Sequence, residues 1–186
     1  MAADTLKSLS ITNLDAVPIV PNPTGKGANG YLKSISDYST PTTGGLASTS
    51  SIYRLVRLPT NAKIKNITLS SDAALDSNGS PTLTFDVGAY YSDSANDGTA
   101  VANQGVLISA NCFGAVVAFG AAHENIYALG AYSVANRNLP LWQALNIQVN
   151  GLNADPGGFI DVVVAVHAVA ATAVSSNLGI EVDYVE

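Results

Sequence analysis

The chain has 186 residues, a formal net charge of −6, charged side chains at 12% of positions and hydrophobic residues at 47%. That length favours one domain that buries a core without metal or disulfide staples. One cysteine excludes an internal disulfide, no apolar run is long enough for a spanning helix, and eight scattered Lys and Arg lay down no basic stripe, so the partners predicted are neither nucleic acid nor membrane.

Low charge with abundant Ser, Thr, Asn and Gly suits a protein packed against other subunits, and equally a plain secreted β-protein. The opening MAADTLKSLS holds no apolar core of a secretory signal, so synthesis in a cytosol is expected. Residues 1–50 show little periodicity. Leu6, Leu9, Ile11, Leu14, Val17, Ile19 and Val20 precede a Pro- and Gly-dense run from Pro21 to Gly30 that punctuates loops. The segment either wraps its own domain or reaches onto a neighbour as an irregular arm; the unburied apolar residues motivate the arm. Gly25-Lys26-Gly27 is not a phosphate loop, because the glycine spacing and the following helix are both missing.

Residues 51–186 read as the folded domain. Strands are predicted over 51–58 and 62–70, and the short link Pro59-Thr60-Asn61 favours an antiparallel hairpin between them. Arg54 and Lys63 read as solvent-facing rungs. A polar loop over 72–81 has Asp76, Asn78 and Gly79 as turn residues. Over 82–91, Leu83, Phe85, Val87, Ala89 and Tyr91 alternate with Thr82, Thr84, Asp86, Gly88 and Tyr90, the pattern of a half-buried strand. Residues 92–98 resemble part of a calcium loop, but Ala95 fills a ligand position and Gly105 stands where the bidentate Glu belongs. A solvated hairpin tip is the better reading.

Short apolar segments follow at 106–108, 111–119 and 126–129, with a helical turn or loop at 121–126. Cys112 reads as a small buried hydrophobe. A short helix is predicted over 139–145, capped by Asn138, with Pro140 in its first turn and Trp142 as its buried anchor. After the Asp155-Pro156-Gly157-Gly158 loop comes the longest apolar run, 159–169. One set is Ile160, Val162, Val164, Val166 and Ala168; the other is Phe159, Asp161, Val163, Ala165, His167 and Val169. Both faces are apolar, so this is a central strand. Residues 178–185 form the last strand. About eight strands and one or two helical turns give an all-β sandwich, with the jelly roll leading.

Catalytic signatures are missing. His123-Glu124 has no second histidine at the zincin spacing, His167 reads as a packed or interface residue, and no nucleophile elbow occurs. Two histidines and one cysteine leave little to converge on a metal. Paired carboxylates remain conceivable among Asp86, Asp161, Glu181 and Asp183, with Asp161 near the last strand if that strand lies beside the central one. The plainer reading is a set of exposed sheet carboxylates. Tyr90 and Tyr91 beside Asp93 offer a weak sugar platform. No catalytic, cofactor-binding or metal residue is therefore assigned.

Residues 140–145 (PLWQAL), 155–162 (DPGGFIDV) and 178–185 (LGIEVDYV), with 53–59 (YRLVRLP) and 83–88 (LTFDVG) in similar style, resemble a group of tailed-bacteriophage virion proteins. The resemblance spans residues 50–186 and includes no catalytic motif. It implies a jelly-roll cement or decoration protein on the capsid exterior, made in the bacterial host cytoplasm. The implied partners are the major capsid protein and further copies of the chain, as a trimer. The candidate contact surfaces are the N-terminal segment and the extra apolar face of the central strand. Two alternatives stay open: another virion part, such as a head-fibre base, tail or baseplate adaptor or host-surface binder, and a lectin-like sandwich.

Overall fold

The computed structural model describes residues 31–94, 98–119, 126–147 and 153–186. Eight strands are present among them: β1 (Leu32–Ser39), β2 (Ile52–Pro59), β3 (Lys63–Ser71), β4 (Thr84–Tyr91), β5 (Leu107–Ala118), β6 (Ile126–Tyr127), β7 (Phe159–Ala168) and β8 (Leu178–Val185). Two four-residue helices accompany them, α1 (Thr43–Leu46) and α2 (Leu141–Ala144). The first sheet has the order β1-β8-β3-β6 and the second β2-β7-β4-β5. Every pairing is antiparallel. The pairs β1–β8, β2–β7, β3–β6 and β4–β5 are nested, and successive pairs fall in the first, second, first and second sheet. A long hairpin rolled in this way is a jelly roll, and the sandwich predicted from the strand pattern is the one observed.

Alternation explains the core. Ile160, Val162, Val164 and Val166 of β7 are buried against Phe85, Val87 and Ala89 of β4 and against Ile67, Leu69, Ile180 and Val182 of the facing sheet. Phe85 and Phe119 meet with ring centroids 5.6 Å apart, and Phe113 meets Tyr132 at 5.2 Å. β7 lies between β2 and β4, the central place its two apolar faces require.

Several expectations need correcting. β2 and β3 do not form a hairpin. Val56 and Leu58 pair with Val162 and Ile160 in the second sheet, while Ile67 and Leu69 pair with Val182 and Ile180 in the first. The connection is held mid-crossing by α2, whose Leu141 and Trp142 N–H groups donate to Ala62 O (2.8 Å) and Thr60 O (3.0 Å). Part of the segment expected to be irregular also belongs to the sandwich: β1 pairs along its whole length with β8, and Leu46 of α1 is fully buried. Residues 1–30 lie outside the described residues. At α2, Pro140 rather than Asn138 is the N-cap, and Leu141 rather than Trp142 is fully buried. The Asn138 amide oxygen instead accepts a bond from Lys65 Nζ at 3.2 Å.

Asp76, read from sequence as a turn residue, is 1% exposed. Its carboxylate accepts N–H groups of Thr82 (2.8 Å), Leu83 (3.3 Å), Asn78 (3.2 Å), Ala171 (2.9 Å) and Thr172 (2.8 Å). It thereby ties the β3–β4 loop to the β7–β8 loop. Burial alone would raise its pKa; the N–H groups of Thr172, Thr82, Ala171 and Asn78 outweigh that and hold it well below the usual carboxylate range. Gly88 is a second constraint. Residues 110–113 of β5 bulge opposite it, between the pairs Val87–Gly114 and Ala89–Ser109. A Cβ on Gly88 would lie 2.3 Å from Ala110 O and 2.4 Å from Ser109 O.

Two predictions follow from these contacts. Gly88→Ala should lower the unfolding free energy by about 3 kcal/mol in denaturant titrations, since only main chain is available to give way; a change within about 0.5 kcal/mol would contradict the close approach. Asp76 has a depressed folded-state pKa, so its contribution is complete above the unfolded-state value of about 4 and is lost as pH falls below it. Stability should therefore drop between about pH 5 and pH 2, and Asp76→Asn should flatten that slope.

Candidate interaction surface

The outer face of the second sheet is built on Asp161. Cross-strand register sets Arg57 and Tyr90 on either side of it, and Arg54 opposite Val163 beyond a β2 bulge. The Asp161 side chain is 3% exposed and accepts from Arg54 Nη1 at 2.9 Å and from Arg57 Nε and Nη2 at 2.6 and 3.0 Å. Arg57 also donates to Asp93 at 2.8 Å, and Arg54 to the carbonyls of Tyr91 (3.1 Å) and Gly105 (3.2 Å). The Arg54 guanidinium lies 5.0 Å from the centroid of the Tyr90 ring.

This arrangement corrects three readings. Asp161 is a buried, twice-paired ion and not an exposed carboxylate; Arg54 is its partner and not a solvent-facing rung. Tyr90 lies under Arg54, and Asp93 is held by Arg57. The carboxylates of β8 do not approach Asp161, because β7 and β8 belong to different sheets. Glu181 accepts the Ser34 hydroxyl at 2.9 Å, and Asp183 the Asn66 amide at 3.4 Å.

In its middle, the second apolar face of β7 is also closed by the chain itself. Val163, which pairs with Gly88, is 1% exposed, and the main chain of Ser109 and Ala110 lies over that position. It is not the free contact surface expected of it. Further along the same face, Asp86 accepts the Val116 N–H at 2.9 Å and sits 2.9 Å from His167 Nδ1. Val116 has φ +51°, a costly conformation for a β-branched residue, and the Asp86 bond secures it.

Little chemistry accompanies these contacts. Burial pushes the Cys112 thiol up to about 12, so it stays protonated and unreactive at neutral pH. Among the described residues, no group of three or more His, Cys, Asp or Glu is placed to hold a metal. His123, Glu124 and residues 95–97 of the calcium-like loop lie outside the described residues.

Besides Val101 and Val134 in the connecting loops, exposed apolar side chains line the two sides of the sandwich. Tyr31, Leu32 and Tyr38 at β1 are 89, 65 and 64% exposed, and Ile52 of the neighbouring edge β2 is 43% exposed. On the opposite side, Leu107 and Val116 of β5 and Tyr127 of β6 are about half exposed. Sequence periodicity did not point to β1, because its apolar residues are too few to alternate.

The whole fold has known counterparts. It is similar to a chain in the structure of the cyanophage Pam1 capsid asymmetric unit, with TM-score 0.52 and 20% identity over 92% of this chain and 96% of that one. It is also similar to a chain in the capsid of Ralstonia phage GP4, with TM-score 0.55 and 23% identity over 89% of both. No protein-family model matches the chain, and no curated protein matches its sequence.

Removing the carboxylate at Asp161 should leave two arginines facing a partly buried gap. Asp161→Ala is expected to cost about 3 kcal/mol in urea unfolding. Glu181→Ala, which loses only an exposed contact, should cost less than about 0.5 kcal/mol. Equal effects would contradict the network described.

Proposed function

We propose that the protein is a structural virion component that decorates a tailed-phage capsid from outside and stabilises it by bridging capsid subunits. The observation that carries this reading is the fold-level similarity to chains of two phage capsid structures, which takes in about nine-tenths of each chain. The likeness is thus between whole chains and not through a module set in a larger protein. The blocks at 140–145, 155–162 and 178–185 resemble the same class.

The surface supports the reading. The middle of the second sheet is sealed by the chain's own ion pairs and main chain, while apolar side chains are exposed along both sides of the sandwich. Such a rigid block suits a part that acts by burying area against neighbours, where many modest contacts sum. Its partners on this account are the major capsid protein and further copies of itself, assembled as a trimer. The role calls for no catalytic group, and the net charge of −6 limits adhesion to packaged DNA.

A reconstitution experiment tests this. Purified protein added to capsids of the same virus prepared without it should bind saturably and raise the temperature at which they rupture. It should bind neither free DNA nor lipid vesicles. Failure to bind those capsids at micromolar concentration would overturn the proposal.

A further inference from the structure

We propose that β1 is a docking edge for β1 of a second copy of this chain, the two strands pairing antiparallel about a two-fold axis at Ile35. β1 is the outermost strand of the first sheet, and β8 is its only strand neighbour among the described residues. Every second residue of such an edge directs its N–H and C=O away from the sheet, ready to pair. Leu32 and Tyr38 stand 65 and 64% exposed on its outer face.

The sequence of β1, LKSISDYS, selects the occupant. Antiparallel pairing with Ile35 opposite the partner's Ile35 sets Lys33 against the partner's Asp37 and Asp37 against the partner's Lys33. Ser34 then faces the partner's Ser36, and Leu32 the partner's Tyr38. Both ion pairs fall on the core-facing side, since Lys33 and Asp37 pair with Tyr184 and Ile180 of β8. Both Leu–Tyr pairs fall on the outer side, as do Ser34 and Ser36. Cross-strand pairs of these kinds stabilise a sheet.

Other registers fail. A slip of two residues sets Lys33 against Ile35 or Ser39 and leaves charges unmatched. A slip of four sets Lys33 against Lys33, or Asp37 against Asp37, which is repulsive. A slip of one turns the core-facing set outward. Inward charges on an edge strand normally prevent indiscriminate pairing; here they permit one self-complementary register. Lys33 already binds Glu186 of its own chain, and its ammonium has three donors, so a second carboxylate can join. Asp37 accepts the Tyr38 N–H at 2.8 Å through one oxygen, which leaves the other to receive the partner's Lys33. The product is a continuous sheet of two four-stranded halves with an isologous interface. This contact depends on β1 alone and not on the capsid role.

The test uses the full chain in sedimentation velocity across a concentration series. The wild type should form even-numbered species: dimers, or hexamers if the copies also form trimers. Lys33→Asp and Asp37→Lys, each alone, should weaken that step by about tenfold or more, and the double exchange K33D/D37K should restore it. Circular dichroism checks that each variant is folded. Amide hydrogen exchange on the wild type needs no variant: protection of β1 should rise with protein concentration. A wild type without even-numbered species, or a folded double exchange that stays as weak as the singles, would overturn the proposal. So would β1 amides protected equally at all concentrations in a monomer, since the chain's own first thirty residues would then cover the edge.

Discussion

The sandwich depends on the middle of β7 being covered on both faces, with His167 near its end left exposed. Its inner residues Ile160, Val162, Val164 and Val166 form the floor of the core. Its outer residues would be a liability in a two-layer fold, where the second face of each sheet normally meets water. The chain covers the middle of that face in two ways. At one end Asp161 is buried between Arg54 and Arg57, and further along the main chain of β5 folds over Gly88 and Val163. Each device works because of its neighbours: the carboxylate is tolerated inside only because two guanidinium groups meet it, and β5 can come close only because Gly88 has no side chain.

Closing the sheet in this way decides where the protein can meet anything else. The centre of the second sheet is occupied by the protein's own ions and backbone. Apolar side chains among the described residues are exposed along both sandwich sides, where β1 and β2 run along one and β5 and β6 along the other. Asp76 adds rigidity at the level of topology. A jelly roll threads its chain back and forth between layers, and this one carboxylate fastens two of the resulting loops by accepting five backbone N–H hydrogen bonds.

The strands with strict alternation were legible in the sequence. Residues 82–91 showed which side faces the core, and the two apolar sets of 159–169 placed β7 at the centre of a sheet. Period-two alternation reports burial but not sheet membership, so β2 and β3, adjacent in sequence and both half-buried, looked like a hairpin. β1 looked like loop because an edge strand whose one half-buried apolar residue is Ile35 carries no apolar rhythm. Asp76 resembled an ordinary turn aspartate because two of its donors, Ala171 and Thr172, lie 95 and 96 residues away. Arg54 and Asp161 are 107 residues apart, and nothing local marks them as partners. Charged groups buried by long-range pairing leave no periodic trace.

The central claim is that this sandwich is a stoichiometric part of a phage shell. Quantitative mass spectrometry of purified virions from the source of this chain tests it most directly, with the major capsid protein as internal standard. The account predicts a copy number of the same order as that protein. A complete absence from the particles would contradict it, and a handful of copies would move the protein from the capsid lattice to a tail, portal or fibre position.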